Sequence, residues 1–261
     1  MFDLAALDAA LAGTAFAGRL HFLPVTGSTN ADALEAARAG APHGGVWFAD
    51  EQQAGRGRGG HQWHSAAGQG LYVSVLLRLP IPAARLPLLP LSTGLAAAAA
   101  IQAVAGLTVD LRWPNDLLLG ERKAGGILVE AKSVGAVSDF AVVGIGINVH
   151  QREFDPALST PGTSLDIVSR RRVSRQALLA FLLKSLEHEA LALLDPASVA
   201  AVPRRVRQAS TWIAGRRVQV HGPQACQGVT EGLDEHGFLL VRTADGLVTV
   251  QTGGIRAAET S

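Results

Sequence analysis

Short apolar runs bounded by glycine, proline and polar clusters alternate along this chain with longer segments of helical period. Asp3 to Leu11 reads as a short amphipathic helix, and His21 to Val25 as a strand. Ser28 or Thr29 supplies an N-cap for an alanine-rich helix over Ala31 to Ala39, with Asp32 in its first turn. Val46 to Ala49 and Leu71 to Leu79 have the apolar, β-branched composition of buried strands. Leu88 to Ala105 predicts a long helix with proline near its start. Thr108 to Trp113, Asp116 to Leu119, Ile127 to Ala131 and Phe140 to Ile147 follow as strands, with Gly120-Glu121-Arg122 as a turn. Ser174 to Leu194 is a capped helix. Strands in the middle with helices around them predict an α/β or α+β sheet domain.

The pattern changes near Pro203-Arg204-Arg205. Beyond Trp212 the chain carries short strands between glycine turns, at Arg216 to His221, Gln227 to Leu233, Gly237 to Thr243 and Leu247 to Gln251. That spacing predicts a small antiparallel barrel. The boundary falls near residue 210, giving domains over 1–209 and 210–261.

Composition narrows the function. A formal net charge of +1 gives no support to bulk attraction for nucleic acid or membrane surfaces. The single cysteine, Cys226, excludes an internal disulfide or a cysteine-based metal cluster, and fits a reducing cytoplasm. The N-terminus has no basic leader pattern, and no uninterrupted apolar run reaches spanning length. Only three lysines occur, at 123, 132 and 184, so the position of each is informative.

Four segments could carry chemistry. Gly27-Ser28-Thr29-Asn30 offers mixed donors and acceptors for a polar ring, although a helix cap would use the same residues. Gln52 leads into Gly55-Arg56-Gly57-Arg58-Gly59-Gly60, where glycine permits close backbone approach and arginine suits phosphate or carboxylate. Gly55, Gly57 and Gly60 match the dinucleotide fingerprint, but no helix opens after them and no acid follows about 20 residues on. Arg112-Trp113-Pro114-Asn115-Asp116 presents an amide and a carboxylate on a turn. Lys123, seven positions after Asp116, suits the neighbouring strand of a hairpin. Gly144-Ile145-Gly146-Ile147-Asn148 is a glycine-opened strand ending in an amide.

In this order, with Lys123-Ala124-Gly125-Gly126-Ile127-Leu128-Val129-Glu130, these motifs resemble the biotin–protein ligases. The resemblance implies a mixed-sheet catalytic domain flanked by helices, of the biotin/lipoyl ligase and class II synthetase-like type, with a small C-terminal SH3-like barrel. It implies that biotin and ATP form biotinyl-5′-AMP, with Mg²⁺ on the triphosphate. Biotin then passes to one lysine of a biotin carboxyl carrier domain. Ser28, Thr29 and Asn30 would contact the ureido ring beside Gln52. Arg56, Gly57 and Arg58 would close over biotin and the adenylate phosphate, and Lys123 would contact carboxylate and phosphate oxygens. Asn115 and Asn148 would lie near the adenine, with Arg112 among the nucleotide contacts. Asp116 would support the lysine or Mg²⁺, and no resident metal is expected. The expected partner is the carrier domain, with a homodimer open and no nucleic acid or membrane.

The chain departs from the family pattern at three positions. Arg112 stands where lysine is common, and Gly59 and His61 stand where arginine is frequent. Only 26 residues precede Gly27, too few for the winged-helix domain of the family's repressor members, so no direct DNA regulation is expected. A lipoate ligase shares the fold, but the Trp-Pro-Asn-Asp and Lys-Ala-Gly-Gly motifs favour biotin. An RNA-binding module is disfavoured by the near-zero charge and the single tyrosine.

Overall fold

A computed structural model describes residues 2–258. Seven strands form one sheet in the order β1-β2-β3-β7-β6-β5-β4. They are β1 (Leu20–Thr26), β2 (Val46–Gln52), β3 (Gly70–Leu77), β4 (Asp110–Arg112), β5 (Asp116–Leu119), β6 (Arg122–Val134) and β7 (Val137–Asn148). Only β1 and β2 pair in parallel, joined through α2 (Thr29–Arg38). Every other pairing is antiparallel, so the sheet is mixed. β6 and β7 run past their predicted ends, because Lys132, Ser133 and Ser138 keep pairing where the apolar signal stops.

The period of two along the central strands sorts the molecule into layers. Leu71, Val73, Val75 and Leu77 of β3, and Val143, Ile145 and Ile147 of β7, enter the main core. Over that face pack α3 (Leu89–Ala105) and α5 (Arg175–Ala192), with α1 (Leu4–Ala10) against α5. On the opposite face Leu76 and Val142 lie beneath α2 with Ala33, Leu34 and Ala37. The next residues along that face are polar or glycine: Ser74 and Tyr72 on β3, Gly144 and Gly146 on β7. Because α2 covers one end of this face only, the remainder is free to line a cavity.

The segment Ala83–Ala105, ending in α3, is long and apolar enough by mean composition to span a bilayer, although Arg85 and several polar residues interrupt its apolar run. It serves here as a core helix, mostly buried among sheet and helices. Two further helices had no counterpart in the prediction. They are α4 (Leu165–Ser169) and α6 (Pro196–Gln208), the latter continuing through Pro203.

The C-terminal strands form a second, all-antiparallel sheet in the order β11-β10-β9-β8-β12. They span β8 (Ala214–His221), β9 (Cys226–Leu233), β10 (Leu239–Thr243), β11 (Gly246–Val250) and β12 (Gly254–Ala257). β12 was not foreseen. Among the described residues no ladder joins β11 to β12, so the sheet is open where a closed barrel was expected. It docks against the first domain through a tight turn. Trp113 Nε1 donates to the Gly237 carbonyl at 3.1 Å, while Leu88 and Leu91 crowd the same glycine. Gly237 has φ +83°, and an added Cβ would lie 2.8 Å from both leucine side chains. Gly237→Ala should therefore destabilise the fold by about 1–3 kcal/mol through strain and overpacking. Denaturant unfolding checks this, and an unchanged midpoint would contradict it.

Candidate active site

One cavity of about 1070 Å³ opens on the partly covered sheet face and extends to the C-terminal sheet. All the predicted site residues line it: Ser28, Thr29 and Asn30, Gln52, the Arg56–Arg58 loop, Arg112, Asn115 and Asp116, Lys123 and Asn148.

At the α2 end the side chains form a chain of hydrogen bonds. Gln52 Oε1 accepts from the Thr29 N–H at 2.9 Å and lies 3.1 Å from the Thr29 hydroxyl. That hydroxyl lies 2.8 Å from the Ser74 hydroxyl, which donates to Asn30 Oδ1 at 2.7 Å. Asn30 Nδ2 donates to Glu130 Oε2 at 2.8 Å, and Arg56 Nη2 to Glu130 Oε1 at 3.2 Å. Each buried polar group thus finds a partner, which fixes the orientation of the Asn30 amide. Gly144 is what admits it, since a Cβ there would collide with Asn30 Oδ1. Ser28 takes the cap position of α2, but its hydroxyl makes no capping bond, contrary to the capping expectation. The side chain faces the cavity instead.

The loop from Gln52 to Ser65 is a folded excursion rather than a free strand connection. Bridges pair Gln52 with Ser65 and Arg56 with Gln62, and one tight turn spans Arg58–Gly60. The loop carries Trp63 onto glycines of β6 and β7, its ring atoms lying 2.5 Å from where a Gly146 Cβ would stand. Arg58 crosses to the second sheet, where Nη1 donates to the Gly253 carbonyl at 3.0 Å and meets Asn115 Oδ1 at 3.4 Å. Burial lowers the Arg58 pKa, with Asp116 pulling it back upward. The Asn115 amide is also committed, donating to the Ile127 carbonyl at 2.8 Å.

The cavity's centre is cationic. β5 and β6 shift register between Leu117 and Leu118, leaving Ala124 as the extra residue beside Lys123. Bulges of this kind re-aim neighbouring side chains. Lys123 Nζ lies 2.5 Å from Asp116 Oδ1, across the hairpin that the spacing predicted. Arg112 engages Asp116 Oδ2 through Nη2 at 2.6 Å and Nε at 3.1 Å, and also reaches Thr160. Burial resists ionisation of Asp116, but the charges of Lys123 and Arg112 outweigh it and hold the carboxyl below its ordinary value of 3.8. Both oxygens are taken by cations, so the carboxylate positions Lys123 and has little capacity left for a metal. Among the described residues no group of three or more His, Cys, Asp or Glu could hold a metal ion.

Several cavity residues were not picked out by sequence. Ser74 carried a signal, as the lone serine in the fully buried Gly70–Leu77 strand. Glu130 stood inside a quoted motif without a role, and Trp63 three residues beyond the glycine-arginine loop. Gln151 had no signal at all. Arg256, Thr252 and Gly253 reach the cavity from the C-terminal sheet, a juxtaposition that only the tertiary fold creates.

Comparison with known proteins agrees with this architecture. Residues 22–148 match the biotin/lipoate A/B protein ligase family, and residues 213–255 the biotin protein ligase C-terminal domain. A biotin–[acetyl-CoA-carboxylase] ligase of Mycobacterium tuberculosis is 34% identical over 245 residues, covering 91% of this chain and 88% of that protein. The chain belongs to the biotin–protein ligase family. Another relative, the bifunctional ligase/repressor of Escherichia coli K12, is 33% identical over 248 residues, covering 93% of this chain and 75% of that one. The solved biotin protein ligase of Aquifex aeolicus in complex with biotin and ATP superposes with a TM-score of 0.78 at 29% identity, covering 92% and 98%.

The depressed Asp116 pKa has a testable consequence. A group with a lowered folded pKa stabilises the protein above its unfolded pKa, and that stability is lost as pH falls through the folded value. Asp116→Asn should therefore be less stable than the parent near neutrality and converge on it in acid. Urea unfolding between about pH 7 and about pH 3 checks this. Parallel profiles would count against the ion-pair assignment.

Proposed function

We propose that this chain is an ATP-dependent biotin–protein ligase, which activates biotin as biotinyl-5′-AMP and transfers it to a lysine of a biotin carboxyl carrier domain. The observation that carries the proposal is the cationic centre around Asp116, enclosed between a neutral hydrogen-bonding end and the second sheet. Family membership supplies the substrates.

The chemistry asks for such a centre. In the first step a biotin carboxylate oxygen attacks the α-phosphorus of ATP, a new P–O bond forms and pyrophosphate departs. Two anions must meet, so fixed cations have to offset their repulsion. Preorganised charge does this without reorganising at the moment of reaction. Lys123 faces both the carboxylate and the phosphate in this reading, and Arg112 and Arg58 face the nucleotide. Thr29, Asn30 and Gln52 receive the ureido ring, with Ser28 beside them. Asn115 and Asn148 support the nucleotide side through the backbone groups they tie down. Mg²⁺ travels on the triphosphate, where phosphate oxygens and water suffice as ligands. In the second step the carrier lysine amine attacks the acyl carbon, a C–N bond forms and AMP leaves.

Arg56 and Arg58 place the loop over the anhydride, and excluding water protects it from hydrolysis. The catalytic part spans 1–209 and the C-terminal part 210–261, read as an SH3-like unit that supports the loop from below. The single cysteine, away from the cavity, fits a cytoplasmic setting.

Mass spectrometry of a carrier domain incubated with this protein, biotin and Mg-ATP tests the proposal. A gain of one biotinyl group supports it, and an unmodified carrier contradicts it. Lys123→Ala should lower biotin-dependent ATP–pyrophosphate exchange by about 10²-fold, the scale for one preorganised electrostatic group. An unchanged rate would remove Lys123 from the reacting centre.

A further inference from the structure

The chain enters its second unit along β4, an edge strand of the seven-stranded sheet. The Leu111 N–H donates to the Ala209 carbonyl at 2.8 Å, and the Leu111 carbonyl accepts from the Ser210 hydroxyl at 2.6 Å. The Thr211 N–H and hydroxyl donate to the two carboxylate oxygens of Asp110, at 2.8 and 2.6 Å. Ser210 Oγ accepts in turn from the Trp212 N–H at 3.1 Å. The backbone leading to Trp212 is thus fixed against the strand that ends in Arg112.

Trp212 is 4% exposed, and its ring meets two guanidinium groups. Arg112 Cζ lies 5.2 Å from the ring centroid and Arg216 Cζ 3.7 Å. Arg216 Nη2 also donates to Glu121 Oε1 at 2.6 Å, which ties this corner to the turn between β5 and β6. Arg112 is the partner that lines the cavity. Its Nε and Nη2 both donate to one oxygen, Asp116 Oδ2. Two bonds converging on a single atom leave the guanidinium plane free to tilt about it. Thr160 adds one bond to Nη2, but from a mostly exposed loop. The buried ring against the face is what sets the tilt, and an ammonium would have no plane to hold in this way. Nη1 alone of the three nitrogens has no partner among the described residues, and it is not sealed from solvent. It is the donor left for a ligand.

We propose that Trp212 is a positioning residue for the adenylation step, its ring fixing the tilt of the Arg112 guanidinium so that Nη1 is aimed at the nucleotide. The proposal rests on the ligase reading, in which Arg112 faces the nucleotide. It gives the second unit a hold on the reacting centre that is separate from its contact with Arg58.

A double-mutant cycle read in biotin-dependent ATP–pyrophosphate exchange tests this. Trp212→Leu keeps an apolar side chain but offers no ring. It should lower kcat/KM for ATP about tenfold, the scale of one desolvated cation–ring contact. Biotin binding, measured by calorimetry without ATP, should stay as in the parent. Trp212→Phe keeps a ring of weaker pull and should lose about threefold. In an Arg112→Ala background either Trp212 substitution should cost nothing more, because the group it positions is gone. Losses that multiply in the double variant overturn the proposal, as does unchanged exchange in Trp212→Leu. A fall in biotin affinity matching the fall with ATP overturns it too, since that marks a merely structural role. If Trp212→Leu does not fold, the cycle with Trp212→Phe is judged in the same way. Absence of exchange by the parent would instead overturn the ligase reading, and this proposal with it.

Discussion

The site depends on keeping positive charge at the centre of an enclosed cavity without neutralising it. Lys123, Arg112 and Arg58 converge there, and a buried cation is tolerated only when its surroundings fix and partner it. Asp116 meets that requirement for two of them with a single carboxylate, one oxygen to each. Three cations around one anion leave the centre positive. Arg58 is held by neutral acceptors, the Gly253 carbonyl and the Asn115 amide oxygen, and so keeps its charge available. The result is a field directed at incoming anions and already in place before they arrive.

The sheet makes that arrangement rigid. One face of β3 and β7 is anchored in the main core, and the other changes character along its length, from apolar beneath α2 to hydroxyl, glycine and amide beyond it. The glycines there let Asn30 and Trp63 come down onto the backbone, where larger residues would hold them off. The C-terminal sheet then closes the far side, through Trp113 and Gly237 at its base and Arg58 and Gly253 at its rim. The second unit thus bears on the site through the loop it holds.

Much of this was legible in the sequence, for identifiable physical reasons. Strong apolar periodicity gave β3, α3 and α5 close to their observed spans, and the spacing of Asp116 and Lys123 gave the hairpin that brings them together. The lower legibility of β6 and β7 has a cause: their outer ends carry polar and charged residues such as Lys132, Ser133 and Ser138, which continue the backbone ladder without an apolar pattern. α6 was hidden by Pro203, which reads as a breaker although the helix runs through it. The hydroxyl at Ser28 looked like a cap because caps and binding loops draw on the same residues. Contacts such as Asn30 with Glu130, or Arg58 with Gly253, join residues far apart in the chain, and no local pattern records them.

The most direct measurement is the retention of biotinyl-5′-AMP made on the protein, followed by its release into solution in the absence of a carrier. If the cationic loop holds the intermediate, the parent keeps it through gel filtration and Arg58→Ala releases it about tenfold faster or more. Equal retention by the two proteins would contradict the account.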